Sequence, residues 1–127
     1  MPLIKVLHID DKPEMVDMIR IILNKAGYEV SGATDGKSGL KAVETFKPDV
    51  VLLDLMMPDI DGWEVFRAIK ANPQTSHIPV IVLTARAQSI DKVLGLHIAK
   101  VDDYITKPFN QAQVLESLKR VLAVQHS

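Results

Sequence analysis

The run "VVLLDLMMPDIDG", residues 50–62, sets a carboxylate where burial would penalise one: Val50 to Leu53 read as a fully buried strand, and Asp54 follows at once. Three other apolar runs end in residues that can do chemistry: Asp10-Asp11 after "LIKVLHI", Thr84 after "IPVIVL", and Thr106-Lys107-Pro108 after "DDYI". If these runs are neighbouring strands of one sheet, three carboxylates, a hydroxyl and an ammonium converge on one rim. Two carboxylates ~4 Å apart repel by about 4 kcal/mol at an effective dielectric of about 20, so a cation belongs among them. A ligand set of aspartates without His or Cys suits Mg2+, which takes one or two carboxylates, a carbonyl and several waters. A calcium loop of the EF-hand type is excluded by Met57 and Ala68, which stand where that loop needs acidic residues. With the cation in place Asp54 is a nucleophile able to accept a phosphoryl group as an acyl phosphate, a transfer that needs positioning and charge neutralisation more than acid–base chemistry. Lys107 would neutralise phosphoryl oxygens and the Thr84 hydroxyl would donate to one.

The elements that must position these residues alternate. "LIKVLHI" (3–9) is a strand, Pro13 opens the helical pattern "PEMVDMIRIILNKAG", and Gly27 stops it. "YEVSGA" (28–33) is a polar edge strand, and "GKSGLKAVETF" (36–46) repeats the helical period up to Pro48. The buried strand "DVVLLD" leads through "MMPDIDG" into the helix "WEVFRAIKAN", and the loop "NPQTSH" precedes the strand "IPVIVLT". "SIDKVLGLHIAK" (89–100) is the fourth expected helix, "DDYIT" the fifth strand, and "NQAQVLESLKRVLAV" the fifth helix, opened by Asn110 and Gln113 at capping-box spacing. Five strand–helix units demand a parallel sheet covered on both faces. The class is α/β with three layers, and its ligand site is expected beyond the carboxyl ends of the strands, where strand order reverses.

Composition bounds what such a molecule does. The 127 residues suit one domain, 1–127, and 47% of them are hydrophobic, enough for a core without disulfides or a structural metal. With 15 basic and 16 acidic residues, the net charge of -1 gives no electrostatic argument for nucleic acid or an anionic membrane as partner. Cysteine is absent, which removes disulfide and thiol chemistry. No apolar run approaches the ~18 residues of a membrane span, and the start "MPLIKVLHIDD" lacks signal-peptide layout, so a soluble cytoplasmic protein is expected. None of the four histidines, His8, His77, His97 and His126, sits near a second catalytic group by spacing.

Taken together, "VLHIDDKPEM", "DLMMPDIDG", "VLTA" and "DDYITKPF" identify a resemblance to the CheY-like receiver domain of two-component response regulators, running over essentially the whole chain. The resemblance implies a flavodoxin-like (βα)5 sandwich with a parallel sheet of order 2-1-3-4-5. It implies that Asp54 is the phosphoacceptor for a histidine kinase or histidine phosphotransfer protein. Mg2+ would be held by the side chains of Asp11 and Asp54, by Asp10 directly or through water, and by the backbone carbonyl of Met56. Thr84 would move toward the phosphoryl group, Tyr104 would change rotamer to fill the vacated space, and Lys107-Pro108 would be a cis peptide placing the ammonium. Output is expected at the face made by the fourth helix, fifth strand and fifth helix, through a downstream protein effector, in a stand-alone regulator that is a monomer or a phosphorylation-dependent dimer. One departure stands out: the family's usual "GADDY" is here "IAKVDDY", without the glycine and one residue longer between Thr84 and Lys107.

Rival classes fit less well. A haloacid-dehalogenase-type phosphatase resembles this site but needs a second acid two residues after the nucleophile, where Met56 stands. A flavodoxin-like flavin carrier needs a first loop that cradles phosphate, and "DDKPEM" would repel it. A phospho-independent interaction module has no need of Asp10, Asp11, Asp54, Thr84 and Lys107 together.

Overall fold

The computed structural model describes residues 3–55, 57, 59, 61–84 and 101–125, and the following account is of these. In chain order they form β1 (Lys5–Ile9), α1 (Pro13–Lys25), β2 (Glu29–Ala33), α2 (Gly36–Phe46), β3 (Val50–Asp54), α3 (Gly62–Ala71), β4 (Val80–Thr84), β5 (Asp103–Thr106) and α4 (Gln111–Gln125). The helix expected over 89–100 and the lengthened segment before Val101 lie outside the described residues. The five strands make one sheet in the order β2-β1-β3-β4-β5, every pair parallel. All five strands start later than their sequence runs suggest: β1 begins at Lys5 rather than Leu3, β2 at Glu29 rather than Tyr28, β3 at Val50 rather than Asp49, β4 at Val80 rather than Ile78, and β5 at Asp103 rather than Asp102. The Asp102 carboxylate instead accepts from the Val80 N–H at 2.8 Å.

Alternation along the strands divides the core into two layers. Leu7 and Ile9 of β1, Val51 and Leu53 of β3, and Val80 and Val82 of β4 meet Val43 of α2 and Val65, Phe66 and Ile69 of α3. On the opposite face Val6, Val50, Leu52, Ile81, Leu83 and Ile105 meet Ile19 and Leu23 of α1 and Val114, Leu118, Val121 and Leu122 of α4. β3 is buried at all five positions, which is why its sequence is continuous rather than alternating.

Helix ends are specified locally. Pro13 occupies the first turn of α1, where its missing N–H costs nothing, and Gly27 follows its end at φ 97. Asp35 caps α2 by accepting from the Ser38 N–H at 2.7 Å, and Asp61 caps α3 by accepting from the Trp63 N–H at 2.9 Å. Before α4, the Gln113 N–H donates to Asn110 Oδ1 at 2.9 Å while the Asn110 N–H donates to Gln113 Oε1 at 2.8 Å, a reciprocal capping box. Asp103 of β5 accepts from the Ser117 hydroxyl and from the Arg120 guanidinium, fixing α4 along the last strand.

Candidate functional site

The register puts the chemistry at one level. Ile9 pairs with Leu53, so Asp10 and Asp54 emerge side by side, while Asp54 pairs with Leu83 and Thr84 with Thr106. Asp10 follows Val6 and His8 on the face of the sheet covered by α1 and α4, and Asp54 follows Val50 and Leu52 there. Lys107 continues the same alternation from Ile105, and its peptide bond to Pro108 is cis. Its ammonium stands 3.4 Å from Asp10 Oδ2 and 3.5 Å from Asp54 Oδ2, with the lysine side chain 14% exposed and the two carboxylates 0% and 1%. Asp10, Asp11, Asp54 and Lys107 are thus brought together. Thr84 ends β4 next to this rim. Tyr104 stands apart, paired with Val82 and 39% exposed. Met56 lies outside the described residues.

Each carboxylate is held differently. Asp10 accepts from the Lys12 N–H at 3.0 Å through Oδ1, and its own N–H donates to the Ala33 carbonyl at 3.0 Å. Its first role, turning the chain into α1, is therefore compatible with a place in the site. Burial by itself pushes the Asp10 carboxyl upward, but the His8 imidazole 3.4 Å away, the hydrogen bond from the Lys12 N–H and the Lys107 charge together outweigh it and hold the pKa at about 2. Asp11 is partly exposed, and the Lys12 ammonium stands 3.6 Å from its Oδ1. Burial would lower the Lys12 pKa, yet Asp11, Asp54 and Asp10 together raise it. Among the described residues three carboxylates face two ammonium groups here, and Lys107 is much the less exposed of the two.

The donor set fits a hard cation. One oxygen from each of Asp10, Asp11 and Asp54 lies within 4.8 Å of the other two. Asp11 Oδ1 is buried and accepts no hydrogen bond, the condition of an atom shaped for a ligand beyond the protein. All three donors are oxygens, the preference of Mg2+ and Ca2+ rather than of Zn2+.

Two features escape the sequence reading. The expectation that no histidine stands beside a catalytic group fails at His8: it is wholly buried, with Nε2 3.4 Å from Asp10 Oδ2. Its signal was the two-residue spacing on a strand, which places both side chains on one face. The second is Asp59, in the loop between β3 and α3. Its two oxygens accept from the Gly36 N–H at 3.1 and 3.0 Å, and one also from the Lys37 N–H at 3.4 Å. The loop that follows Asp54 is thereby tied to the positive end of α2.

Comparison with known proteins agrees with this geometry. Residues 6–119 match the family model described as response regulator receiver domain. The chain is 41% identical over 118 residues to the alkaline phosphatase synthesis transcriptional regulatory protein PhoP of Bacillus subtilis, covering 93% of this chain and 48% of that protein. It is 39% identical over 118 residues to the DNA-binding dual master transcriptional regulator RpaA of Synechocystis, with the same coverage of 93% and 48%. The chain spans about half the length of these curated relatives. Among solved structures, the chemotaxis protein CheY4 of Vibrio cholerae superposes with a TM-score of 0.86 at 32% identity, over 94% of this chain and 99% of that one. A CheY-like receiver domain protein of Methanospirillum hungatei gives 0.86 at 32% identity, over 98% of each chain.

Proposed function

The chain belongs to the response regulator receiver domain family, and we propose that Asp54 is its phosphoacceptor, loaded from a phosphohistidine of a histidine kinase or phosphotransfer protein. Receiver domains are regulatory phosphoacceptor switches of two-component systems. The observation that carries the assignment to Asp54 is the partly buried Lys107 ammonium, 3.5 Å from Asp54 and 3.4 Å from Asp10 at the ends of three strands.

In the transfer, one Asp54 oxygen attacks phosphorus, the P–N bond of the donor breaks with its electron pair remaining on the imidazole, and a P–O bond to the carboxylate forms. Lys107 supplies positive charge where the phosphoryl oxygens arrive, from a side chain only 14% exposed. Asp10, 3.4 Å away, positions that ammonium and stays ionised to do so. Asp10, Asp11 and Asp54, with the Met56 carbonyl, are the proposed ligands of Mg2+, which when bound screens the carboxylates from one another and from the incoming phosphoryl group. Water reaching the acyl phosphate reverses the modification, so the same residues govern its lifetime.

Thr84 and Tyr104 are the proposed switch pair. Tyr104 is exposed on β5, where a rotamer change alters the surface that a partner protein meets, and biasing a two-state equilibrium needs a differential of only a few kcal/mol. Output through a downstream protein, as a monomer or a phosphorylation-dependent dimer in the cytoplasm, follows from that reading. Among the described residues no helix is long and apolar enough to cross a membrane. Incubation with acetyl phosphate and Mg2+ is expected to add one phosphoryl mass to the intact chain and to change Trp63 fluorescence. Loss of neither signal in Asp54→Asn, or labelling undiminished without divalent cation, would overturn the assignment.

A further inference from the structure

We propose that His8 is a positioning residue for Asp10, the donor that takes over the Asp10 carboxylate when Lys107 turns from it to the phosphoryl group on Asp54. The inference rests on the phosphoacceptor reading above and concerns a residue that reading leaves unused.

His8 is completely buried, one pleat beneath Asp10 on β1, and beside it on β3 lies Leu52. The surrounding layer is apolar, with Val6, Leu52 and Leu83 all inaccessible. Neither ring nitrogen makes a hydrogen bond of good geometry among the described residues. A leucine would fill such a place without a polar group to satisfy, so the imidazole needs a reason to be there. Its nearest polar atom supplies one: Nε2 stands 3.4 Å from Asp10 Oδ2.

That oxygen is also the one Lys107 reaches, likewise at 3.4 Å. Oδ2 therefore lies between two donors, each longer than a good hydrogen bond, while Oδ1 is fixed separately by the Lys12 N–H. When phosphoryl oxygens arrive on Asp54, 3.5 Å from Lys107, they offer the ammonium a stronger partner. Asp10 Oδ2 then loses Lys107, and His8 Nε2–H, 3.4 Å away, closes to hydrogen-bonding distance. The handover needs a proton on Nε2, which one neutral tautomer and the imidazolium both carry, so it does not depend on a change in protonation. Its effect is to keep Asp10 oriented in the modified state and to lower the cost of moving Lys107.

The test uses beryllofluoride, which mimics the phosphoryl group on Asp54, titrated in Mg2+ and read by Trp63 fluorescence for the unmodified chain, His8→Leu, His8→Gln and Asp54→Asn. His8→Leu is expected to melt no lower than the unmodified chain yet to bind beryllofluoride about tenfold more weakly, the scale on which outer partners of metal ligands act. His8→Gln, whose amide N–H occupies the place of Nε2, restores binding to within about threefold. In the unmodified chain, the His8 Nε2–H resonance should shift downfield and its exchange slow on beryllofluoride binding, a signature independent of any variant. Binding unchanged in His8→Leu, a glutamine variant as weak as the leucine one, or an unmoved His8 resonance would each overturn the handover. Failure of the unmodified chain to bind, or binding by Asp54→Asn, would instead overturn the phosphoacceptor reading.

Discussion

Lys107 Nζ lies 3.5 Å from Asp54 Oδ2, joining the end of the fifth strand to the end of the third across the strand between them. The same ammonium contacts Asp10 at 3.4 Å, so one cation links three strands. Removing it leaves buried carboxylates facing one another. Lys107→Met is expected to lower stability in metal-free buffer by about 2–4 kcal/mol, measured by urea denaturation, because breaking a buried pair strands its partner. Mg2+ should then restore more stability to the variant than it adds to the unmodified chain, since the cation binds the folded site and replaces the lost charge. Equal stabilisation of both by Mg2+ would show that the ammonium and the metal do not share these carboxylates.

Gly62 opens α3 where it touches the backbone that follows Asp54. A Cβ placed there would come 2.5 Å from Leu55 Cα and 2.7 Å from the Asp54 carbonyl oxygen, and neither backbone atom is free to give way. Gly62→Ala is therefore expected to cost about 1–3 kcal/mol and to displace the loop carrying the proposed Met56 ligand. Calorimetry should show Mg2+ affinity falling at least severalfold. A variant that melts normally and binds Mg2+ normally would place the contact outside the site's machinery.

Much of this arrangement was legible in the sequence, and the reasons are specific. The continuous run Val50–Leu53 announced a strand buried on both faces, and the pair Asn110–Gln113 announced a helix start, because these signals depend on neighbours in the chain. Parallel strand–helix alternation sends the strand ends to one rim, so Asp10, Asp11, Asp54 and Lys107 were expected to converge before any distance was known. His8 was missed because catalytic pairs are sought by motif, whereas its nearness to Asp10 comes from strand alternation and from what the sheet buries beneath the rim. Asp59 was missed because its partners are backbone N–H groups of another element, which no side-chain pattern discloses. The shortened starts of β4 and β5 share one cause, an Asp102 carboxylate that takes the Val80 N–H.

Asp59 gives a prediction of its own. Its carboxylate satisfies the first N–H groups of α2 and brings negative charge to the positive end of that helix, while anchoring the loop after Asp54. Asp59→Ala should lose about 1 kcal/mol by urea denaturation and weaken Mg2+ binding without abolishing it. Asp59→Asn keeps an accepting oxygen and should lose less of both. Equal losses in the two variants would show that the tie acts through charge and not through hydrogen bonding, since both lack the charge and only asparagine keeps an acceptor.

Asp35, outside the proposed ligand set, supplies the pH dependence. The Ser38 N–H, then the Ser38 hydroxyl, hold its carboxyl below the ordinary value of 3.8, with Lys37 adding to the effect. A carboxyl whose pKa is depressed by folding binds protons more readily in the unfolded chain, so its contribution to stability is complete above the unfolded value near 3.8 and is lost as pH falls through the lower folded one. At neutral pH, Asp35→Ala should therefore melt a few degrees below the unmodified chain, as loss of a helix cap commonly does. The gap should narrow as pH falls below the ordinary carboxylate range, because protonation removes from the unmodified chain the charge the variant already lacks. Asp35→Ser, which accepts the Ser38 N–H without titrating, should keep most of the neutral-pH stability and show a flatter acid limb. If the alanine variant's deficit is the same at pH values above and below this range, the cap acts through shape alone and the carboxylate charge of Asp35 has no part in holding α2.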